Sequence, residues 1–156
     1  MKKKLDNYSL RTVSKADEEL LFYWANDLET RKSSFNSNVI KESEHKKWLI
    51  DKLENPNVCM WIFEHNCVPS GLIRLEKNNG DAILNYQIAP EKRRKGLASK
   101  MLKLAINELI VNWGKINILA YTLFENIGSQ KSLEKAGFYL DKSTSERVCY
   151  VYNYQS

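Results

Sequence analysis

Alternating apolar and polar positions over Tyr8 to Val13 predict a short first strand. Ser14-Lys15-Ala16-Asp17 then has an N-cap with an acidic residue three positions on, opening a helix through Leu20, Leu21 and Trp24 to about Leu28. A second helix is expected from a cap at Ser43 to about Glu54, where Asn55-Pro56 stops it. Its residues His45, Trp48, Leu49 and Leu53 share much of one face, since steps of three and four bring side chains together. Three strand-like runs follow, Val58 to Phe63, Gly71 to Glu76 and Ala82 to Ala89. Val68-Pro69-Ser70-Gly71 and Asn78-Asn79-Gly80-Asp81 supply turn chemistry between them, so an antiparallel meander is expected. Leu97 to Val111 carries a wide apolar stripe at helical spacing, ended by Trp113-Gly114. Ile116 to Thr122 reads as a buried strand, Ile127 to Ala136 as a short helix with Gly137-Phe138 as its exit, and Val148 to Tyr154 as an alternating last strand. The order β α α β β β α β α β predicts an α/β (α+β) fold on a mixed sheet.

Composition narrows the setting. The chain has 156 residues, 43% of them hydrophobic, enough for one sizeable core and too few for two ordinary domains, so residues 1–156 are expected to form a single domain. No apolar run approaches the roughly 18 to 20 residues that span a bilayer, so no membrane partner is expected. Met1-Lys2-Lys3-Lys4-Leu5 is basic but leads into polar residues rather than the apolar segment of a secretory signal, which points to the cytoplasm. Cys59, Cys67 and Cys149 form no Cys-x-x-Cys pair and suit reduced thiols, and Glu64, His65 and Cys67 lack a second set of ligands, so no metal is expected. The net charge of +5 fits nucleic acid, an anionic small molecule or a solvated surface.

The location of that charge separates those cases. The densest cluster lies in Pro90-Glu91-Lys92-Arg93-Arg94-Lys95-Gly96-Leu97-Ala98, between a strand and the long helix. A helix start offers unpaired N–H groups and the positive end of the macrodipole, which together bind phosphate. Gly96 permits close backbone approach, Ala98 keeps the entrance narrow, and arginines add charge-assisted contacts. The loop has neither the Walker nor the Gly-x-Gly-x-x-Gly pattern, which argues against nucleotide hydrolysis and hydride transfer. Nucleic acid is disfavoured because the basic residues concentrate here instead of alternating with aromatics along a surface.

Arg93-x-x-Gly96-x-Ala98 resembles the Gln/Arg-x-x-Gly-x-Gly/Ala pyrophosphate motif of the GNAT acetyltransferase superfamily. Asn126-x-x-Ser129 followed by Glu134-Lys135-Ala136-Gly137-Phe138 resembles its second signature, and the likeness spans nearly the whole chain. It implies a mostly antiparallel, twisted sheet of six to seven strands flanked by about four helices, with acetyl-CoA as co-substrate. Strands splayed near Tyr86 to Ala89 and Ile118 to Tyr121 would then admit pantetheine. The backbone of Gln87 and Ile88 would hold the arm and polarise the thioester carbonyl. Arg93, Arg94, Lys95, Gly96, Leu97, Ala98 and Ser99 would hold the pyrophosphate. Asn126 and Ser129 would contact the arm or cap the following helix.

Trp24 to Asp27, Arg31, Ser34-Phe35, Ile40 and Glu44 to Trp48 resemble the amino-terminal part of GNAT enzymes that acetylate nucleotide-linked amino sugars, of pseudaminic and legionaminic acid type, for bacterial surface glycans. An anionic acceptor bearing an aromatic base suits Arg31, Phe35, Trp48 and Arg74 through charge and stacking, whereas a polyamine would call for an acidic pocket. The plainer readings are a core role for Trp24 and Trp48 and an ion pair of Arg31 with Asp27. Direct attack of an amine on the thioester needs a base, and His45 is named for it because imidazole titrates near neutrality, a structural role being the alternative. Relatives carry a tyrosine acid before the Glu-Lys-x-Gly-Phe stretch, but this chain has Leu133 there. Tyr86, Tyr121, Ser132 or a water remain as substitutes, with Tyr86 named as the acid. The competing functions are a protein amino-terminal or antibiotic acetyltransferase and a non-catalytic acyl-CoA-binding module. The partner expected is a small-molecule amine acceptor, and a homodimer is left open.

Overall fold

A computed structural model describes residues 5–153. Strand β1 (Tyr8–Thr12) leads into Ser14, whose hydroxyl accepts from Ala16 N–H at 3.3 Å while Asp17 accepts from Ser14 N–H at 2.9 Å. This capping box opens a 3-10 turn over Lys15–Asp17, which runs on into α1 (Glu18–Ala25). Asp17 also accepts a two-pronged pair of bonds from Arg11, at 2.9 and 3.0 Å, tying β1 to the helix entrance. The expected helix to Leu28 divides instead. Asn26 turns away to exchange two 2.8 Å bonds with the backbone of Ile40, and Asp27 caps a separate short helix, α2 (Leu28–Lys32), at Thr30 N–H. Ser43 lies inside α3 (Glu42–Glu54) rather than capping it; Lys41 holds the cap position without a side-chain bond.

The meander is β2 (Val58–His65), β3 (Val68–Asn78) and β4 (Asp81–Ile88). Its first turn is not Val68 to Gly71 but Asn66-Cys67, both left-handed with φ of 51° and 66°. Pro69 and Ser70 belong to β3, at a bulge between Phe63 and Glu64, the kind of ladder irregularity that tolerates a proline in a strand. Helix α4 (Leu97–Trp113) crosses the sheet, and β5 (Ile118–Leu123) and α5 (Ile127–Lys135) follow. The chain then forms β6 (Tyr139–Ser143), a strand the apolar pattern does not signal, and β7 (Arg147–Tyr152). The expected continuation of the last strand to Tyr154 lies outside the described residues, as do Met1 to Lys4.

One seven-stranded sheet results, ordered β1-β2-β3-β4-β5-β7-β6 and antiparallel except at β4–β5. On one face, Leu97, Met101, Leu102, Ala105 and Leu109 of α4 pack on Phe63, Ile73, Leu75 and Leu84. On the other, Leu21 and Trp24 of α1 and Leu49 of α3 close over Met60, Ile62 and Leu72. Trp24 is therefore a core residue, 1% exposed.

The parallel pairing of β4 with β5 covers only Ala82 with Ile118, Ile83 with Leu119 and Leu84 with Ala120. Beyond Leu84, β4 stays paired to β3 as far as Ile88, while β5 continues along β7. The sheet is split from one side at that point. The gap opens later on β5 than the sequence implies, since Ile118 and Ala120 are still paired.

Candidate active site

Ala82 N–H donates across to Asn117 on the β5 side, and Ala89 N–H donates to Ser70 on β3, each at 2.9 Å. Backbone direction alternates along a strand, so the polar groups of Tyr86 and Ile88 face the gap and those of Gln87 face β3. Ile88 thus fits the arm-binding role, whereas Gln87 brings its side chain, not its backbone, to the site. Unpaired strand groups of this kind need a partner, and an amide-bearing arm supplies one.

Next to the gap, Arg94 and Gly96 both adopt left-handed backbone, with φ of 61° and 72°. The loop can then turn its N–H groups inward, an arrangement that concentrates positive potential. Gly96 caps α4 without any side-chain bond and the first turn has no acidic residue, so the N–H groups of Leu97, Ala98 and Ser99 have no side-chain cap to satisfy them. A cavity of about 480 Å³ spans this loop, the gap and α5. Lys92, Arg94, Lys131 and Lys135 supply cations around it, and Asn126 and Ser129 line its far wall. Lys131 and Lys135 carry no sequence signal of their own, because they come in from a separate helix. Lys95 is not among the lining residues.

Two of the expected roles change here. Arg93 lines the cavity, but its guanidinium is held by Asp27 at 2.6 Å, Thr30 at 2.8 Å and Glu29 at 3.0 Å, so its side chain braces α2 against the loop. Asn126 does cap α5, accepting from Ser129 N–H at 3.1 Å. The Ser129 hydroxyl is then free to meet Tyr86 Oη at 2.6 Å. Burial pushes the Tyr86 phenol up, against a smaller downward pull from its Ser129 and Ser132 contacts. Leu133 is 1% exposed in the core under α5, while Ser132 turns its hydroxyl back to Gly128. Tyr121 lines neither cavity.

A second cavity of about 540 Å³ adjoins the first, and Thr30, Ser34, Tyr86 and Gln87 line both. Its walls include His45 and Trp48 from α3, Leu21 and Ala25 from α1, and Leu72 and Arg74 from β3. Arg74 lies 5.2 Å from the Trp48 ring and donates through Nε to Glu76, which Lys52 also engages. Among the described residues, its Nη groups have no hydrogen-bond partner. Burial lowers the Arg74 pKa, marking a cation partly stripped of water.

Arg31 lines this cavity with its donors in use, bonding Ala25 C=O at 2.6 Å and Asn36 C=O at 3.1 Å. It staples the segment after α1, and Asp27, its expected ion-pair partner, is taken by Arg93. Phe35 is 53% exposed, sits against Arg147 at 4.4 Å, and is absent from the cavity wall where an acceptor contact was expected. His45 is 3% exposed, and burial lowers its pKa, which favours the neutral imidazole. Ser34, which the acceptor-side resemblance includes, lines both cavities; Thr30 carried no sequence signal, because α2 reaches both cavities only through the turn at Asn26.

Residues 8–139 match the acetyltransferase (GNAT) domain family. The chain belongs to that family. It is an acetyl-CoA-dependent N-acetyltransferase, with acetyl-CoA as co-substrate, and the uncapped helix start beside the split sheet is the feature that fits the cofactor. Solved structures share the fold. Aminoglycoside acetyltransferase AAC(6')-Ib in complex with coenzyme A is 18% identical at a TM-score of 0.77, over 94% of this chain and 95% of that one. Spermidine N-acetyltransferase from Vibrio cholerae in complex with CoA and spermine is 17% identical at 0.81, over 92% and 93%. RimL, a ribosomal alpha-N-protein acetyltransferase in complex with coenzyme A, is 12% identical at 0.80, over 94% and 93%. No curated protein matches the chain in sequence. Among the described residues, no helix is long and apolar enough to cross a membrane.

Proposed function

We propose that this GNAT domain acetylates a primary amine on an anionic small molecule, with a nucleotide-linked amino sugar of bacterial surface glycan synthesis as the best fit. The observation that carries this reading is Arg74, whose free Nη groups and Trp48-stacked plane border the cavity beside Tyr86 and Gln87. A partly desolvated guanidinium on an indole recognises phosphate or carboxylate together with a planar group. The same wall opposes a polycation, since its arginines face a single lining carboxylate, Glu44. The acceptors of the aminoglycoside and spermidine enzymes are polycations, and an acidic lining would suit them better.

The acceptor amine attacks the thioester carbon as a free base. The C–N bond forms, the C–S bond breaks, and the ammonium proton passes to His45. Ile88 N–H, facing the gap, polarises the carbonyl and stabilises its developing charge. Tyr86 gives a proton to the departing thiolate, from a phenol that burial keeps protonated, and regains one from the second N–H proton that the amine nitrogen sheds as the amide forms. The pyrophosphate rests on Arg94, on residues 96–99 and on the lysines of α5. The reaction takes place in the cytoplasm, where acetyl-CoA and nucleotide-activated sugars occur together.

Incubation with acetyl-CoA and a panel of amino-sugar nucleotides, peptides, aminoglycosides and polyamines tests this directly. A mass gain of about 42 Da, one acetyl group, is expected on the nucleotide sugars. Acetylation of polyamines or peptides alone would reject the anionic acceptor. In parallel, acetyl-CoA should raise the melting temperature, and Gly96→Trp should abolish that rise.

A further inference from the structure

Among the described residues, the buried side-chain polar atoms that lack a hydrogen bond are Glu18 Oε1, Trp24 Nε1 and His45 Nδ1, all from α1 and α3. Two of them face each other, with His45 Nδ1 3.7 Å from Glu18 Oε1. The imidazole is held between Phe22 and Trp48, each ring centroid 5.4 Å away, so it cannot swing off to find another partner. A buried carboxylate oxygen and a buried ring nitrogen each carry a desolvation cost when unpaired, and facing each other is the arrangement that relieves both. The other ring nitrogen, Nε2, is not sealed from solvent and has no hydrogen-bond partner among the described residues; the ring borders the acceptor cavity.

We infer that Glu18 is the positioning residue of a Glu18–His45 pair, holding the proton of neutral His45 on Nδ1 so that the Nε2 lone pair meets the acceptor ammonium. The inference rests on the proposal that His45 is the base. The proton moves from ammonium nitrogen to Nε2, the amine's freed electron pair attacks the thioester carbon, and the imidazolium formed is stabilised by the carboxylate at Nδ1. The separation exceeds a hydrogen bond, and charge on the ring draws the two groups together. The other charged groups that line the cavity with His45 are Glu44 on its own helix, Arg74 on β3 and Arg31 on α2. Glu18 is the one whose charge opposes the effect of burial on His45.

Nitrogen-15 NMR of histidine-labelled protein tests the pairing without any acceptor. Wild type should show the Nδ1–H tautomer at high pH. Glu18→Gln, whose amide oxygen still accepts from Nδ1–H, should keep that tautomer and lower the His45 midpoint by about one unit. Where an acceptor is turned over, the acid limb of kcat/KM should move down by the same amount in Glu18→Gln. Glu18→Ala should lose kcat about tenfold or more with KM for acetyl-CoA unchanged, because both the orientation and the charge are gone. An Nε2–H tautomer in wild type, or an unmoved midpoint in Glu18→Gln, overturns the pairing. A limb that stays in place while the NMR midpoint moves overturns the role of the pair in proton transfer.

Discussion

Tyr86 Oη lies 2.6 Å from Ser129 Oγ, so the phenol of β4 is tethered to the first turn of α5 across the split in the sheet. Both cavities share Tyr86 in their walls. Tyr86 therefore stands where the two cavities join, which in the proposed reaction is where donor and acceptor meet. Tyr86→Phe should lower kcat about tenfold to a hundredfold while leaving KM for acetyl-CoA close to wild type, since the arm is held by backbone and the phosphates by the loop. Burial raises this phenol above its ordinary value, so an alkaline fall in activity below about pH 9 should persist unchanged in the variant. Steady-state kinetics over pH check both, and a Tyr86→Phe enzyme of full kcat would remove Tyr86 as the acid.

Arg74 lines the cavity bordered by His45 and Trp48 and not the one at the helix-start loop, so under the proposed function it separates acceptor recognition from cofactor binding. Arg74→Lys keeps a charge but loses the planar fork and the stack on Trp48. KM for an anionic acceptor should rise about tenfold or more, as expected for lost charge-assisted bonds of about 1.5 kcal/mol each, with acetyl-CoA affinity unaltered. Acceptor titrations beside acetyl-CoA calorimetry distinguish the two. An unchanged acceptor KM would place the anion-reading group elsewhere.

What the sequence made legible was local. The loop at Arg93 to Ala98 shows its chemistry in one continuous stretch, as do the meander turn at Asn79-Gly80 and the glycine exit at Gly137. Tyr139 to Ser143 gives no such pattern, because every residue of that edge strand is exposed and pairing with β7 alone makes it a strand. The break between α1 and α2 depends on Ile40, fourteen residues beyond Asn26, so no window around Asn26 contains its cause. Arg31, His45, Trp48 and Arg74 of the acceptor wall were named from sequence, but the contacts that brace them were hidden for the same reason. Glu18 meets His45, and Asp27 meets Arg93, only after the helices pack.

The Arg11–Asp17 pair should give the fold a measurable acid sensitivity. Arg11 hydrogen bonds, outweighing burial, hold the Asp17 carboxyl below its ordinary value of 3.8. A depressed carboxylate stabilises the fold fully above its unfolded value and loses that contribution as pH falls through the folded one. Asp17→Asn should cost about 1 to 2 kcal/mol near pH 7, a modest figure because Arg11 is partly exposed and screened by water. Urea unfolding at several pH values should show the gap between wild type and variant closing below about pH 4. A gap independent of pH would mean that the capping box, not the ion pair, carries the effect.

Leu133 makes a test of whether the missing acid could be restored at the position where relatives carry it. The side chain is 1% exposed and packs in the core with Ala136, Phe138 and Tyr150, so it is directed into the sheet and not into the cofactor gap. A tyrosine there would add volume and a hydroxyl to a filled site. Leu133→Tyr should therefore destabilise by about 1 to 3 kcal/mol, through overpacking and a buried hydroxyl in need of a partner. It should not rescue Tyr86→Phe, because the new phenol would have to leave the core to reach the thiolate. Denaturant unfolding of Leu133→Tyr and kinetics of the Leu133→Tyr, Tyr86→Phe double variant check the two halves. Recovery of kcat in the double variant would show that α5 can present a side chain from position 133 to the gap, and that Tyr86 is one of two places from which this fold can protonate the leaving group.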